Sequence, residues 1–265
     1  MALKEHGLTV NYHTHTTRCS HATGTDRQYV EAAIKAGFKV LGFSDHSPYF
    51  YSSDPTGERY PFYMMKPNEA EEYFNSVREL REEYKNDIEI HVGVEMEYYP
   101  RDFEKTYELI KSLGCEYCIL GQHFLDNDDL AGRKPSSFAT EDKARLDLYT
   151  DRCIEAMQTG KFIYMAHPDV IHFVGDKDYY AAASRRLCET AKSLGVPIEL
   201  NLLGIREGRY YPNGDFWKIA GEVGGDVVLG VDAHSPEAFL DGRQYAVAAE
   251  IIDKFGLNVK LDLNI

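Results

Sequence analysis

The sequence has no long apolar run, few cysteines and no excess of positive charge, and each absence excludes a class of protein. No stretch approaches the roughly 18 consecutive apolar residues of a membrane-spanning helix. Five cysteines, an odd number spread from Cys19 to Cys188, do not make the framework of a disulfide-stabilised secreted protein. The amino-terminal residues lack the apolar segment of a secretory signal. We therefore expect a soluble, reduced, cytoplasmic protein with no membrane partner.

Acidic residues outnumber basic ones, 43 to 29, which gives a formal net charge of −14. The basic surface with which proteins hold a nucleic-acid backbone is missing, so we expect no nucleic-acid partner. The 265 residues are 43% hydrophobic and 27% charged, a composition that can bury a core. No Ser- or Gly-rich tract, charge block or short repeat divides the chain, and we predict one barrel domain over residues 1–265.

What the sequence does contain is an alternation of short β-rich runs and longer helical patterns. The predicted strands are Leu8–His15, Lys39–His46, Ile88–Tyr98, Glu116–His123, Phe162–His167, Pro197–Leu203 and Val227–Asp232, with a further one at Leu257–Leu263. The predicted helices are Thr25–Gly37, Asn68–Asn86, Asp102–Leu113, Lys143–Thr159, Tyr179–Leu194, Asp215–Val223 and Gly242–Phe255. Seven consecutive strand–helix units favour an α/β fold with a parallel sheet, because parallel neighbours need crossover connections. The glycine-rich turn of an open dinucleotide-binding sheet is absent, so a (β/α) barrel is predicted.

Six of the predicted strands deliver histidine, aspartate or glutamate at or near their carboxyl ends. Those ends converge on one face of a parallel barrel, where barrel enzymes build their active sites. His13 and His15 are two residues apart on one strand and therefore point the same way, and Asp232 and His234 repeat that spacing. The full set is His13, His15, His21, His46, Glu95, His123, His167, Asp232 and His234.

This set predicts a metal centre. Imidazole and carboxylate ligands suit Zn²⁺, Mn²⁺ or Fe²⁺, and nine such residues are too many for one tetrahedral ion, so two or three ions are expected. A single histidine at a strand end is usually just hydrogen-bonded, but that reading does not explain seven of them. His6, His91 and His172 lie off the pattern and are interpreted as structural or surface residues. Cys115 and Cys118 form a CxxC without a second pair, which does not favour a redox or zinc role.

Together these residues resemble the PHP (polymerase and histidinol phosphatase) superfamily, and the opening Tyr-His-Thr-His-Thr most resembles its histidinol-phosphate phosphatases. The resemblance is carried by His13-Thr14-His15 with His21, by Ser44-Asp45-His46, Glu95 and His123, and by Ala166-His167-Pro168 and Asp232-Ala233-His234. It implies a distorted (β/α)₇ TIM-like barrel with a trinuclear metal centre at the carboxyl face. It also implies a first ion at His13, His15, Glu95 and Asp232, a second at Glu95, His123 and His167, and a third at His21, His46 and His234.

The activity that the resemblance implies is hydrolysis of L-histidinol phosphate to L-histidinol and inorganic phosphate, a step of histidine biosynthesis. We expect a hydroxide between the first two ions to attack phosphorus, with Glu95 bridging those ions. Asp232 and His234 are the candidates for protonating the departing alkoxide. Asp45 precedes His46 and faces away from the ions on a regular strand, so we predict that it orients a histidine from behind.

With a net charge of −14, a phosphorylated substrate needs local cations at the site. Arg206 follows the sixth strand, which supplies no metal ligand, and is predicted to hold the phosphate; Arg209 is the alternative. The aromatic loop at residues 48–63 is long enough for a lid over an imidazole ring, or it packs on the barrel rim. Glu58 or Glu97 is a candidate for binding an ammonium group.

Two other functions stay open at this level. The same cluster could hydrolyse another phosphomonoester or a nucleotide diester, although the acidic balance argues against a nuclease. A non-catalytic metal-binding barrel is the alternative outside enzymes, and the complete set of nine ligand-type residues disfavours it.

Overall fold

The computed structural model describes residues 9–49, 63–125, 134–261, 263 and 265. Its strands are β1 (Val10–Asn11), β2 (Val40–Phe43), β3 (Glu89–Met96), β4 (Tyr117–Leu120), β5 (Tyr164–Met165), β6 (Ile198–Asn201), β7 (Asp226–Gly230) and β8 (Asn258–Val259). Its α-helices are α1 (Asp26–Ala36), α2 (Ala70–Tyr84), α3 (Phe103–Ser112), α4 (Lys143–Gln158), α5 (Lys177–Leu194), α6 (Leu202–Glu207), α7 (Gly214–Val223) and α8 (Gly242–Phe255). In these ranges no helix is both long and apolar enough to cross a membrane.

The eight strands form one parallel sheet in sequential order, β1 to β8. Beyond the ends of β1 and β7 the sheet curls round on itself, because Thr14 pairs with Ala233 and the His15 N–H donates to the Ala233 carbonyl at 2.9 Å. β8 adds to the opposite, amino-terminal end of β7, where Asn258 pairs with Asp226. The predicted α/β class and distorted (β/α)₇ TIM-like barrel are confirmed.

Local sequence signals account for most helix ends. Thr25 and Gln28 form the predicted capping box at the start of α1, and Gly37 ends that helix in the left-handed conformation. The predicted end of the sixth strand was wrong: the strand predicted over Pro197–Leu203 ends at Asn201, and α6 starts immediately. The Asn201 side chain accepts a hydrogen bond from the Gly204 N–H at 3.1 Å and so caps the start of α6. The apolar sequence of this helix resembles that of a strand, which is why the helix was not predicted.

In the part of the chain that the structure describes, side chains pack inside the barrel. Inward-facing residues such as Tyr12, Tyr117 and Tyr164 form one buried cluster, separate from the larger core between the sheet and the outer helices. The Tyr117 hydroxyl donates to the carbonyls of Tyr12 and Phe43, at 3.0 and 2.9 Å, so this buried polar group is satisfied. A packed interior leaves the carboxyl face as the place where a site can open.

Candidate metal centre

The nine predicted residues meet at the carboxyl ends of the strands, with Glu95 at their centre. Glu95 Oε2 lies 3.2 Å from His46 Nδ1, 3.5 Å from His15 Nε2 and 3.6 Å from His13 Nε2. Glu95 Oε1 faces the other way, 2.9 Å from His167 Nε2 and 3.6 Å from His123 Nε2. One carboxylate therefore stands between two groups of imidazoles, the position that a bridging ligand requires.

Asp232 links the first group to the remaining histidines. Its Oδ1 lies 3.2 Å from both His15 Nε2 and His234 Nδ1, and 3.5 Å from His13 Nε2. His234 Nε2 in turn lies 3.0 Å from His21 Nε2. Ligand atoms about 2.1 Å from a tetrahedral ion lie about 3.4 Å from one another, so these separations match a coordination sphere.

The residues fit metal ions by a second criterion, the number of buried polar atoms left without a partner. Among the described residues, Glu95 Oε2, Asp232 Oδ1, His46 Nδ1 and His167 Nδ1 are buried and have no hydrogen bond. Buried polar atoms are normally satisfied, because an unpaired one costs free energy. The groups whose donor atoms lie within 4.8 Å of one another include His13–His15–Asp232, His13–Glu95–His167 and His21–His46–His234. Cations at these places would satisfy Glu95 Oε2, Asp232 Oδ1 and His46 Nδ1. The fourth atom, His167 Nδ1, would not be satisfied in this way.

Two of the nine residues have strained backbones. His167 has φ = +27° and Asp232 has φ = +49°, in the left-handed region that side chains other than glycine rarely adopt. Each such residue costs about 1–3 kcal/mol and persists only where its surroundings hold it. The fold therefore stabilises these two conformations through other contacts.

The charges of the cluster divide the histidines into two kinds. Burial lowers the pKa of His13, but Asp232, Glu199 and Glu95 outweigh it and raise the value to about 10. Burial also lowers the pKa of His123, but Glu95 and Glu97 outweigh this effect and raise the value to about 9. In contrast, burial and the neighbouring His234 and His15 lower the pKa of His21 to about 4. At neutral pH His21 is ready to bind a cation, whereas His13 and His123 hold protons that a cation must displace.

Metal binding to the metal-free protein is therefore expected to release protons. At pH 7.5 we expect about three, from His13, His15 and His123, and an apparent affinity that rises with pH as these groups lose their protons. The affinity rises with pH because only the deprotonated imidazole can donate a lone pair to the metal ion. Calorimetric titration with Zn²⁺ in buffers of different protonation enthalpy measures the release, and a buffer-independent heat would contradict it.

Three buried carboxylates lie behind the histidines. Asp45 Oδ1 lies 3.4 Å from His15 Nδ1, the side of the ring from which a carboxylate orients it. Glu97 Oε1 lies 2.9 Å from His123 Nδ1, and Glu199 Oε1 lies 2.8 Å from His13 Nδ1. The expectation that Glu97 binds a substrate ammonium group is wrong, because Glu97 is buried behind His123 and does not line the cavity. Glu58 lies outside the described residues.

The sequence contained a signal that Glu97 and Glu199 are partners of buried histidines, a role that was not predicted for either residue. Glu97 follows Glu95 by two residues and therefore points the same way. Glu199 is a charged residue inside the otherwise apolar beginning of β6. An acid within a buried strand indicates a fixed partner, since an unpaired one would be costly.

A cavity of about 720 Å³ opens above the cluster. One wall carries the stacked rings of Tyr63 and Phe124, whose centroids lie 5.3 Å apart. Another carries Glu207, Arg209 and Tyr211, and Arg209 is the cationic side chain among the described lining residues. Arg209 donates to Glu207 at 2.8 Å and to the Tyr211 hydroxyl at 2.9 Å. Of the aromatic loop, residues 50–62 lie outside the described residues.

Arg206, the first choice for phosphate binding, points elsewhere. Its guanidinium donates to the carbonyls of Val231 and Asp232, at 3.2 and 3.1 Å, and to Gln244 Oε1 at 2.7 Å. It is not among the residues that line the cavity. The reason is that Arg206 lies on α6 rather than beyond an extended strand, and the helix turns it towards α8. Arg209, the predicted alternative, does line the cavity.

The remaining histidines and cysteines have ordinary surroundings where the structure describes them. His91 pairs with Glu89 at 2.9 Å, and the ring of His172 stacks on Tyr210, with centroids 3.9 Å apart. His6 lies outside the described residues. All five cysteines are free and buried. Cys19 lies within reach of His15 and His234, with its thiol donating to the Thr16 carbonyl at 3.1 Å.

A parallel barrel with a buried cluster of imidazoles and carboxylates at its carboxyl face places the protein in the class of metal-dependent barrel enzymes. Comparison with known sequences identifies the family. The PHP domain model matches residues 11–202, and the chain belongs to the PHP domain family.

Two relatives and one solved structure illustrate the likeness. A probable histidinol-phosphatase of Deinococcus radiodurans is 28% identical over 234 residues, which cover 84% of this chain and 85% of the relative. A probable histidinol-phosphatase of Schizosaccharomyces pombe is 25% identical over 281 residues, covering 94% and 88%. The crystal structure of histidinol phosphate phosphatase from Lactococcus lactis, with zinc, L-histidinol and phosphate, superposes with a TM-score of 0.71 at 19% identity, covering 95% of each chain.

Proposed function

We propose that this protein is a metal-dependent phosphomonoesterase that hydrolyses L-histidinol phosphate to L-histidinol and inorganic phosphate in histidine biosynthesis. The observation that carries the proposal is the cluster of nine ligand-type residues, eight of which line a cavity whose wall presents Arg209. The names of the relatives that cover more than four-fifths of the chain support the substrate, as does the L-histidinol in the Lactococcus lactis structure.

The metal ligands that we propose divide the nine residues among three ions. The first ion takes His13, His15, Glu95 and Asp232, the second Glu95, His123 and His167, and the third His21, His46 and His234. Zn²⁺, Mn²⁺ and Fe²⁺ suit this mixture of nitrogen and oxygen donors. Bound ions would neutralise the phosphoryl charge and supply a hydroxide at neutral pH.

Side chains of this protein bind the phosphate ester and transfer a proton to the departing alkoxide. Arg209, held by Tyr211 and Glu207, can present two parallel N–H donors to the phosphate, which binds and orients the dianion. Tyr63 and Phe124 form an apolar wall suited to the imidazole ring. His234 is the more accessible of the two candidates near the departing alkoxide, with 18% of its side chain exposed against 4% for Asp232. Because burial lowers the pKa of His234, it would relay a proton from solvent to the alkoxide rather than hold one at neutral pH.

The proposal is tested by metal analysis paired with a phosphate-release screen. We expect release from L-histidinol phosphate by protein loaded with Mn²⁺ or Zn²⁺, at a higher kcat/KM than from other small monoesters. Faster cleavage of another monoester, a diester or single-stranded DNA would overturn the substrate. Tight metal binding without turnover of any ester would support the non-catalytic barrel instead.

Substitution of Arg209 by alanine is expected to raise KM by about 10- to 100-fold, since charge-assisted hydrogen bonds contribute about 1.5–3 kcal/mol each. The zinc content should not change, because the hydrogen bonds and ion pair of Arg209 go to Glu207 and Tyr211, which are not among the nine residues of the cluster. Steady-state kinetics with L-histidinol phosphate measure the effect. Arg186→Ala, on the exposed face of α5, is the control. An unchanged KM in Arg209→Ala would reject the role of this residue.

A further inference from the structure

β6 contributes no side chain to the cluster of nine, yet it carries two buried polar residues. Glu199 and Asn201 are 0% and 1% exposed, and their spacing of two residues puts them on the same face of the strand. A carboxylate enclosed in this way is costly unless donors surround it. The contacts that both side chains make therefore decide what β6 does.

Glu199 is surrounded by donors from neighbouring strands. Its Oε1 lies 2.8 Å from His13 Nδ1, and its Oε2 accepts the backbone N–H of His167 at 3.0 Å. Asn201 Nδ2 lies 3.3 Å from Glu199 Oε2 and 3.0 Å from Asp232 Oδ2. Side chains of β6 thus contact three cluster residues that follow or extend β1, β5 and β7.

These contacts hold the strained positions of the site. His167 and Asp232 are the two cluster residues with positive φ: the His167 backbone N–H donates to Glu199, and the Asp232 carboxylate accepts from Asn201. The barrel also leaves space for the Glu199 carboxylate, because a Cβ at Gly230 on the neighbouring strand would overlap it. The absence of a side chain at Gly230 is thus what lets Glu199 reach His13.

We propose that Glu199 is a positioning residue of the metal centre, which accepts the Nδ1–H of His13 so that Nε2 faces the cation, and which holds the His167 backbone. A carboxylate behind a ligating histidine fixes both the tautomer and the orientation of the ring. The inference rests on the proposed function in one respect, that the cluster binds metal. It adds a residue that contacts neither the ions nor the substrate.

Glutamine at position 199 keeps the size of the side chain but changes its hydrogen bonding to His13, so this substitution tests the role of Glu199. Two N–H donors converge on Oε2, from His167 and Asn201, so the amide oxygen of the variant takes that place. The amide NH₂ then faces His13 Nδ1, which can only accept from it. The proton of His13 moves to Nε2, the atom that a cation needs.

The test compares Zn²⁺ binding by the full-length unsubstituted protein, Glu199→Gln and Glu116→Gln, by competition with a chromophoric chelator. Glu116 is a matched control, a carboxylate 3.3 Å from His91 at the other end of the barrel. We expect the dissociation constant of Glu199→Gln to rise by about 10- to 100-fold. That of Glu116→Gln should not change. If Glu199→Gln does not fold, Gly230→Ala, which displaces the carboxylate and keeps Glu199, is expected to show the same weakening.

Unchanged Zn²⁺ affinity in Glu199→Gln, or in Gly230→Ala where that variant replaces it, would overturn this inference alone. The proposed function would stand, because the unsubstituted protein would still bind metal. Failure of the unsubstituted protein to bind Zn²⁺ would overturn the proposed function and this inference together. Equal weakening in Glu116→Gln would also overturn the inference, since the effect would then not be specific to the residue behind His13.

Discussion

Glu95→Gln is expected to lower kcat by at least about 10³-fold, the largest effect of any single substitution considered. The two Glu95 oxygens lie 3.2 Å from His46 Nδ1 and 2.9 Å from His167 Nε2, on opposite sides. Glutamine keeps one acceptor and places an NH₂ donor on the other side, so it cannot bridge two ions. Loss of a partner behind a ligand costs about 10- to 100-fold, and loss of a shared ligand must cost more.

Phosphate release from L-histidinol phosphate and metal content measure this effect. Glu116→Gln makes the same chemical change at the amino-terminal end of the barrel and should retain full turnover. A Glu95→Gln protein with normal metal content and more than a tenth of the original kcat would show that Glu95 does not bridge the ions.

Removal of metal is expected to abolish turnover and to destabilise the fold. An ion present at about 1,000 times its dissociation constant stabilises the folded state by about 4 kcal/mol. In a chain of this size each kcal/mol changes Tm by about 2–4 °C, so chelation should lower Tm by about 8–16 °C. The reason is that Glu95 Oε2, Asp232 Oδ1 and His46 Nδ1 are buried without a hydrogen bond of their own, and the cations would satisfy these three atoms.

Thermal melts with and without a chelator, followed by return of Zn²⁺ or Mn²⁺, check this expectation. Both Tm and phosphate release should recover when the metal is returned. Equal Tm values for the loaded and chelated protein would mean that the cluster does not hold ions in the folded state. Turnover that survives complete chelation would contradict a metal-dependent mechanism.

The roles of residues that lie close together in the sequence could be predicted where those roles depend on local backbone geometry. The two-residue period of a strand places His13 with His15 and Asp232 with His234, and parallel strand ends converge, so the cluster followed from spacing alone. The capping box of Thr25 followed in the same way. α6 did not, because its start depends on one side chain, Asn201, that accepts a backbone N–H.

The amino-acid sequence by itself determined the strand–helix alternation, the class of barrel and the identity of the residues at its carboxyl face. Tertiary structure decided which carboxylate lies behind which histidine, as in the contact of Glu199 with His13 across 186 positions of sequence. It also decided that Arg206 is bound by backbone carbonyls while Arg209 faces the cavity. The physical reason is that periodicity specifies the face of each element, whereas contacts across a barrel depend on how the closed sheet brings distant strands together.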